Sequence, residues 1–315
     1  MTDIAGPRRA GRGGLGARKA SRLSPLGLVL ALPPILLVLV FVGFPVVLAL
    51  GFSLGFTGGL NSVVAMIGLK VHHAESWWGT LAAYQDVIAD PQFRSDLAVT
   101  LLVTAVSTAI VLVMALGIGL YLRLTGGRLA RVLSGLAVVP LFIPVVISSW
   151  AILTFYSGDG FVRSLFAHLG VDGPTWAYTI VAVVIGSVWT SLPFAVLMVA
   201  SGLQGIPNAL IEAARDAGAG VVRITTQILI PMAYVPIVIA GTFTAIGVIG
   251  SFTVPYFTGP NAPSMLGVTL TSYFTAYNEP QQSVVMAFAV FLAASGIGAF
   301  YVWANFRSAK TQGRV

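Results

Sequence analysis

The chain has 315 residues, of which 57% are hydrophobic and 9% are charged, and its formal net charge is +7. Since about a quarter of the residues of a soluble domain are charged, this composition excludes a soluble globular protein and indicates a polytopic membrane protein. There is no cysteine, which excludes disulfides and thiolate metal sites. The basic excess alone would suit nucleic acid, but we expect no nucleic-acid partner, because the basic residues follow the pattern of a membrane topology.

Residues 1–25 form a basic segment with six Arg and Lys residues among Gly, Ala and Ser. Because such a composition buries too little apolar surface to fold, we expect a disordered, basic cytoplasmic tail. The apolar run 26–56 that follows is too long for a signal peptide and lacks a small-residue cleavage site. We interpret it as the first membrane-spanning helix, bent near Pro45.

Five further apolar runs reach the roughly 20 residues that a membrane-spanning helix needs. They lie at about 97–122, 132–156, 177–203, 228–250 and 282–306. The apolar segment 251–281 is interrupted by prolines and a glycine, so we interpret it as an outer loop able to dip back toward the bilayer. The predicted fold class is an all-α polytopic membrane protein with six transmembrane helices over residues 26–306 and a cytoplasmic tail at 307–315.

The distribution of charge orients these six helices. With the N-terminus in the cytoplasm, 14 of the 17 basic residues fall on the inner side, whereas seven of the ten acidic residues fall on the outer side. This asymmetry follows the positive-inside rule. It predicts that both termini lie in the cytoplasm, together with the polar segment at about 204–231.

None of the six predicted spans has an ionisable side chain in its interior. Such groups are costly in a bilayer and mark proton relays or ion-coupling sites, so their absence argues against a proton-coupled carrier. The chain also lacks the Gly-x-x-x-x-Gly-Lys-Ser/Thr pattern that cradles ATP phosphates. We therefore expect a transport subunit that is not an enzyme, binds no cofactor or metal of its own and depends on an energised partner.

A compact polar segment lies between the fourth and fifth predicted spans. It reads Glu212-Ala213-Ala214-Arg215-Asp216-Ala217-Gly218, followed after nine residues by Ile228-Leu229-Ile230-Pro231. Pro207 suits the first turn of a short helix and Gly218 suits its left-handed end, while three alanines crowd one side of that helix. The pattern resembles the EAA loop of membrane permeases in ATP-binding-cassette (ABC) importers, with Ile230 in place of the usual Leu.

The resemblance implies a type I ABC importer permease fold, in which the helix of this loop docks into a cleft on an ATPase subunit. The ATPase-coupling residues would be Glu212, Ala213, Ala214, Asp216, Gly218 and Pro231. The implied partners are a second permease subunit, two ATPase subunits that bind the ATP and Mg, and an extracytoplasmic solute-binding protein, at a bacterial cytoplasmic (inner) membrane. The competing functional class is a secondary transporter or an accessory membrane protein.

Local patterns outside the loop bear on the substrate. Asp90-Pro91 and the stretches 158–161 and 250–255 resemble the polyamine-type (spermidine/putrescine) branch of these permeases, which we prefer. However, Ser251 stands where polyamine permeases tend to carry an acid, so a sugar-type importer is the alternative. Polar and aromatic residues of the spans are candidates for lining the solute pathway: Trp150, Trp189, Thr244, Ser251 and Thr253.

Overall fold

The computed structural model describes residues 25–311, and every regular element within that range is a helix. The predicted N-terminal tail lies outside the described residues except for Pro25, where the first helix begins. The described residues fall into two units that divide after Ala49.

The first unit consists of α1 (Pro25–Val38), a π-helical turn (Leu39–Gly43) and the beginning of α2 (Phe44–Ser53). The π-helical turn ends two residues before Pro45. In a regular α-helix the proline ring clashes with the carbonyl four residues earlier, and the wider turn offers a way to accommodate it. The helical irregularity therefore lies where the sequence predicts a bend, and residues 29–53 are long and apolar enough to cross a membrane.

The second unit opens with a 3-10 turn (Gly59–Asn61) and two short helices, α3 (Ser62–Met66) and α4 (Ala82–Ala89). They lead into α5 (Pro91–Thr125), a helix of 35 residues. The side chain of Asp90 caps α5 by accepting a hydrogen bond from the backbone N–H of Gln92 at 2.9 Å. At the other end, Gly126 adopts a left-handed φ of 60° and stops the helix.

The third predicted span is a broken helix. α6 (Arg128–Val138) continues into a 3-10 turn (Val139–Phe142), which is followed by α7 (Val145–Phe155). The helix axis bends by 108° between the two arms. Pro140 and Pro144 occupy the break, in keeping with the inability of proline to continue a helical hydrogen-bond ladder. A short helix, α8 (Phe161–His168), follows.

The next helices carry the polar segment. α9 (Ile180–Gln204) is a single long helix, and α10 (Asn208–Asp216) is the short helix predicted around Glu212. They are followed by α11 (Val221–Ile224), a π-helical turn (Thr225–Leu229), α12 (Ile230–Met232) and α13 (Tyr234–Ile249). The arm ending at Met232 and α13 are bent by 69°, so the fifth predicted span is also a broken helix.

The last helices are α14 (Thr253–Thr258), α15 (Leu266–Thr275) and α16 (Pro280–Thr311). The segment 251–281, predicted as an outer loop, thus contains two helices. α14 packs against α7 and α9, and α15 packs against α5 and α16. α16 continues as a helix beyond residue 306, the predicted end of the last span.

The core of the second unit is formed by α5, α9 and α13, which pack against one another along their lengths. Their buried contacts are made by small and medium apolar side chains, among them Val111, Ala115, Val199, Leu203 and Ala240. Gly119 lets α5 approach α9 closely, since a Cβ there would lie 3.1 Å from Leu203. Small residues at helix contacts are typical of membrane bundles.

Four described helical segments are long and apolar enough to span a membrane, and the two bent pairs raise the number to six. This agrees with the six predicted spans and with the predicted all-α fold class.

Candidate functional site

The ends of α10 are set by backbone chemistry that is visible in the sequence. Pro207 stands one position before the helix, with φ −58° and ψ 136°, rather than within its first turn. At the other end Gly218 has a left-handed φ of 79°. The N–H of Gly218 donates to the carbonyl of Arg215 at 2.8 Å, and the N–H of Ala219 donates to that of Ala214 at 2.9 Å. These two bonds form a Schellman closure, as a terminal glycine predicts.

The two faces of α10 differ in burial. Ile211 is buried, Ala214 is partly buried, and both pack into the core cluster that contains Ile224 and Leu229. The opposite face is exposed and is formed by Glu212, Ala213, Asp216 and Ala217. The three alanines therefore do not share one face, because Ala214 holds the helix to the bundle while the other two face outward. The side chain of Glu212 makes no hydrogen bond or ion pair with any of the described residues.

Pro231 ends the polar segment and lies in α12, just before the 69° bend. The residues before it form the π-helical turn Thr225–Leu229, so this proline, like Pro45, follows a widened turn. Leu229 is fully buried whereas Pro231 is exposed. The segment is thus anchored by Leu229, and α13 begins with a change of direction directly after it.

Arg123 makes a long-range contact that the sequence did not predict. In the sequence it is one of the basic residues on the inner side. Arg123 lies in the last turn of α5, and its guanidinium reaches the chain between α9 and α10. Nε donates to the carbonyl of Leu203 at 3.0 Å, and an Nη donates to the carbonyl of Ile206 at 2.6 Å. Arg123 lies 80 positions from Leu203 and 83 from Ile206 in the chain, so no local pattern could have indicated the contact.

The five predicted pathway residues are not brought together in one cavity. Trp189 lines an apolar cleft of about 800 Å³ between α5, α7 and α9. Trp150 lines a second cleft at the end of α7. Thr244 lines a smaller cavity of about 180 Å³ between α9 and α13. Ser251 and Thr253 line none of these three.

The small cavity that contains Thr244 is lined by Ser191, Phe194, Phe243 and Thr244. The rings of Phe194 and Phe243 lie 5.7 Å apart, tilted by 45°. The hydroxyl of Thr244 is buried and has no hydrogen-bond partner within the described part of the chain. An unpaired buried hydroxyl is costly, and because this oxygen is itself buried, it would have to become exposed before it could bond a group in the cavity.

Comparison with known proteins supplies the family. Residues 114–310 match the family described as "Binding-protein-dependent transport system inner membrane component". The chain belongs to this family. It is therefore a membrane permease of an ABC transport system, and the predicted type I permease fold is confirmed.

Three relatives of this permease are 28–30% identical to it over the aligned stretches. The sulfoquinovosyl glycerol transport system permease protein SmoG of Agrobacterium fabrum is 28% identical and matches 79% of this chain and 78% of its own length. The trehalose/maltose permease MalF of Thermococcus litoralis is also 28% identical, over 82% of this chain and 84% of its own. The spermidine/putrescine permease PotB of Escherichia coli is 30% identical, but over 49% of this chain and 56% of its own.

Among solved structures, a chain of the bacterial alginate ABC transporter has the same fold. Its TM-score is 0.69 at 16% identity, and the match covers 88% of this permease and 92% of that chain. The MetNI methionine transporter gives a TM-score of 0.52 at 24% identity, covering 69% and 96% of the respective chains. At these identities the likeness concerns the fold.

A second long-range contact of the permease lies at the opposite end of α5 from Arg123. Asp96 is completely buried, and its carboxylate accepts the N–H of Ser264 at 2.8 Å and the hydroxyl of Thr269 at 2.6 Å. One turn later, the hydroxyl of Thr100 accepts the N–H of Leu266 at 2.9 Å. These bonds fasten the connection between α14 and α15 to α5. The sequence indicated Asp96 only as an acid preceding the second span.

The segment before α5 is held by a separate polar cluster. The Asp86 carboxylate lies 2.8 Å from the Lys70 ammonium and 2.7 Å from Nε2 of His72. The hydrogen bonds from Lys70 and His72 lower the pKa of Asp86, and the bond to Asp86 raises the pKa of Lys70. Gln281, at the start of α16, accepts the backbone N–H of His72 at 2.7 Å. The cluster therefore fixes the segment between α2 and α4 against α16.

Proposed function

We propose that this permease is one transmembrane subunit of an ATP-driven importer for a carbohydrate. The observation that carries this proposal is the extent of similarity. The relatives named for sulfoquinovosyl glycerol and for trehalose/maltose match about four-fifths of the chain, whereas the relative named for spermidine/putrescine matches about half. The preference for polyamines drawn from local patterns is thus less well supported than its alternative, a sugar-type importer.

The cavity between α9 and α13 is chemically suited to such a solute. Its lining combines two aromatic rings with the polar residue Ser191 and the buried Thr244, and it includes no charged side chain. A neutral sugar ring offers hydroxyls for the polar groups and apolar C–H faces for the rings. A polyamine would carry its positive charges into a site without a counter-charge, at a substantial desolvation cost.

The α10 segment would couple this pathway to ATP. Glu212, Ala213, Asp216 and Ala217 form the exposed face, and two alanines let a partner's backbone come close. A free carboxylate at Glu212 suits charge-assisted hydrogen bonds from a partner's Arg or backbone N–H groups. In this proposal two ATPase subunits bind the ATP and Mg, dock on this face and on that of a second permease subunit, and receive solute from an extracytoplasmic binding protein.

The same proposal orients the chain in a bacterial cytoplasmic (inner) membrane. The α10 end of the bundle would face the cytoplasm, with both chain termini, and the segment between α2 and α4 would face outward. The charge asymmetry of the sequence supports this orientation.

Binding and uptake measurements test the substrate class. The cognate binding protein is titrated with trehalose, maltose and spermidine by calorimetry, and each binder is followed as a radiolabelled solute into proteoliposomes that contain the complete complex. We expect a carbohydrate to bind and to enter only with ATP. Binding of spermidine alone would overturn the carbohydrate assignment, and ATP-independent uptake by the permease alone would favour a secondary transporter.

A variant of the cavity provides a second test. Phe243 is 56% exposed, so Phe243→Ala removes an aromatic face at little cost in packing. Loss of one aromatic contact, about 0.5–1.5 kcal/mol, should lower carbohydrate uptake about two- to tenfold. Phe291→Ala, an exposed phenylalanine of α16 outside the cavity, serves as the matched control. Equal uptake by both variants would show that the cavity is not part of the solute pathway.

A further inference from the structure

Arg123 connects three helices at the α10 end of the bundle. It belongs to the last turn of α5, and its two bonds end on Leu203, near the end of α9, and on Ile206, just before α10. Leu203 and Ile206 are both buried. The guanidinium therefore bridges α5 to the short connection through which α9 continues into α10.

The chemistry of this contact favours arginine specifically. The last carbonyls of a helix lack intrahelical partners and carry the negative end of the helix dipole. Of the two acceptors, the Leu203 carbonyl belongs to the last turn of α9, whereas the Ile206 carbonyl belongs to the connection between α9 and α10. A guanidinium presents several N–H donors in a fixed planar arrangement, so one side chain reaches both carbonyls. A lysine at this position would carry the same charge on a flexible stem and lacks the planar fork.

Other basic residues near this end make no comparable contact. Arg128 is exposed and forms no hydrogen bond with another helix among the described residues. Arg223 donates to Gln227, four positions along its own segment, at 2.9 Å. Positive charge at this end therefore does not by itself account for the geometry of Arg123.

The contact is reinforced by close packing one turn earlier on α5. Gly119 faces Val199, Ala200 and Leu203 of α9, and a Cβ at position 119 would come within 3.3 Å of Val199. The interhelical distance is thus fixed by packing at Gly119 and by hydrogen bonds at Arg123. Beyond Arg123, the chain that leads into α10 has no further bond to α5 through a described side chain of α5.

We propose that Arg123 is a positioning residue for coupling, which makes the end of α5 move together with α10 when the ATPase displaces α10. This inference rests on the coupling role proposed above for α10. Without the two bonds, α10 would follow the ATPase while α5 stayed behind. Hydrolysis would then continue without a matching movement of the bundle.

Spin labelling tests the movement without requiring the solute. The chain has no cysteine, so cysteines at Thr125 and Asn208 are its only two, at the end of α5 and the start of α10, and the partner subunits are prepared without reactive cysteines. Both positions are exposed. Dipolar broadening of the EPR spectrum is recorded for the complete complex, first without nucleotide and then trapped with MgATP and vanadate. The label pair is combined with Arg123→Gln, Arg123→Lys and the control Arg128→Gln.

We expect the parent pair and the Arg128→Gln control to keep the same broadening in both states. Arg123→Gln should match the parent without nucleotide and lose most of its broadening when trapped, while Arg123→Lys should lose less. A purely structural role would instead alter the nucleotide-free spectrum or reduce the yield of complex. Either result, or an Arg123→Gln pair that stays together when trapped, would overturn the inference.

Co-purification of the ATPase separates this inference from the proposal on which it rests. If the ATPase binds the parent complex and is lost with Glu212→Ala, the proposed role of α10 holds. The spin-label experiment then tests only the role of Arg123. If Glu212→Ala and Gly218→Val both assemble and couple like the parent, the proposed role of α10 fails, and the inference about Arg123 fails with it.

Discussion

Replacing Asp96 should loosen the connection between α14 and α15 from α5. The carboxylate receives two hydrogen bonds, from the N–H of Ser264 and the hydroxyl of Thr269, and is completely buried. Hydrogen bonds to charged groups contribute about 1.5–3 kcal/mol each, and a buried donor left unpaired costs about 1–3 kcal/mol. Because these two estimates describe the same loss, we expect Asp96→Ala to destabilise the permease by about 2–5 kcal/mol.

Asp96→Asn should be much milder, and this difference is the sharper part of the prediction. The amide oxygen can still accept the N–H of Ser264. The amide N–H₂ can donate to the hydroxyl of Thr269, which can turn its own proton toward the carbonyl of Met265, 3.4 Å away. Both donors would then remain satisfied, and the expected loss is about 1 kcal/mol, the difference between a charged and a neutral acceptor.

The measurement is the thermal unfolding midpoint of the purified permease in detergent, followed by the loss of its monodisperse peak. Hydrogen exchange at residues 260–270 provides the local readout, since in the Asp96 variants these amides should lose protection before those of the other helices. The expected order of stability is parent, Asp96→Asn, Asp96→Ala. An Asp96→Ala protein as stable as the parent would refute the reasoning, and so would an Asp96→Asn protein as unstable as the alanine variant.

Three further predictions concern the α10 loop, the polar cluster around Asp86 and the membrane orientation. Gly218→Val, at a position with open space around it, should cost about 1–2 kcal/mol of backbone strain and uncouple hydrolysis from uptake, whereas Glu212→Ala should weaken ATPase co-purification. Since the pKa of Asp86 is lower in the folded state, its ion pair contributes stability above about pH 4 and loses it as the pH falls through the folded pKa. The rate of amide hydrogen exchange in residues 69–90, corrected for the intrinsic rates, should therefore rise in acid, and Asp86→Asn should abolish that rise. A cysteine replacing Trp77 should react with an impermeant thiol reagent in intact cells and one replacing Thr125 should not; the reverse result would contradict the orientation.

The spans and the ends of α10 could be predicted because their causes are local. A run of about 20 apolar residues has few stable alternatives to a membrane helix. Gly218 takes the left-handed conformation that its position after a short helix requires. The third span is interrupted at Pro140 and Pro144, where proline cannot continue a helix, although the bend of 108° depends on how α6 and α7 pack and not on any local signal.

The parts that could not be predicted depend on residues far apart in the chain. The segment 251–281 reads as a loop because its prolines and glycine break the apolar run. Its two helices are held by burial of Val254, Met265 and Leu266 and by bonds to Asp96. Arg123 gives no local sign that its partners lie 80 positions away. In both cases the hydrogen-bonding side chain, Asp96 or Arg123, is visible in the sequence, but the distant residue that it bonds is not.

The two long-range contacts share one helix, and this gives α5 a particular place in the proposed mechanism. Asp96 ties one end of α5 to the connection between α14 and α15, and Arg123 ties the other end to the start of α10. At 1.5 Å per residue, these attachment points lie about 40 Å apart along the helix. α5 has no proline after its first position, whereas α9 contains Pro193 and the third and fifth spans are broken. An unbroken helix fastened at both ends is the element of this bundle best suited to carry a displacement of α10 to the opposite side. If the α5 end moves with α10, as proposed, the connection between α14 and α15 must either follow it or lose its bonds to Asp96.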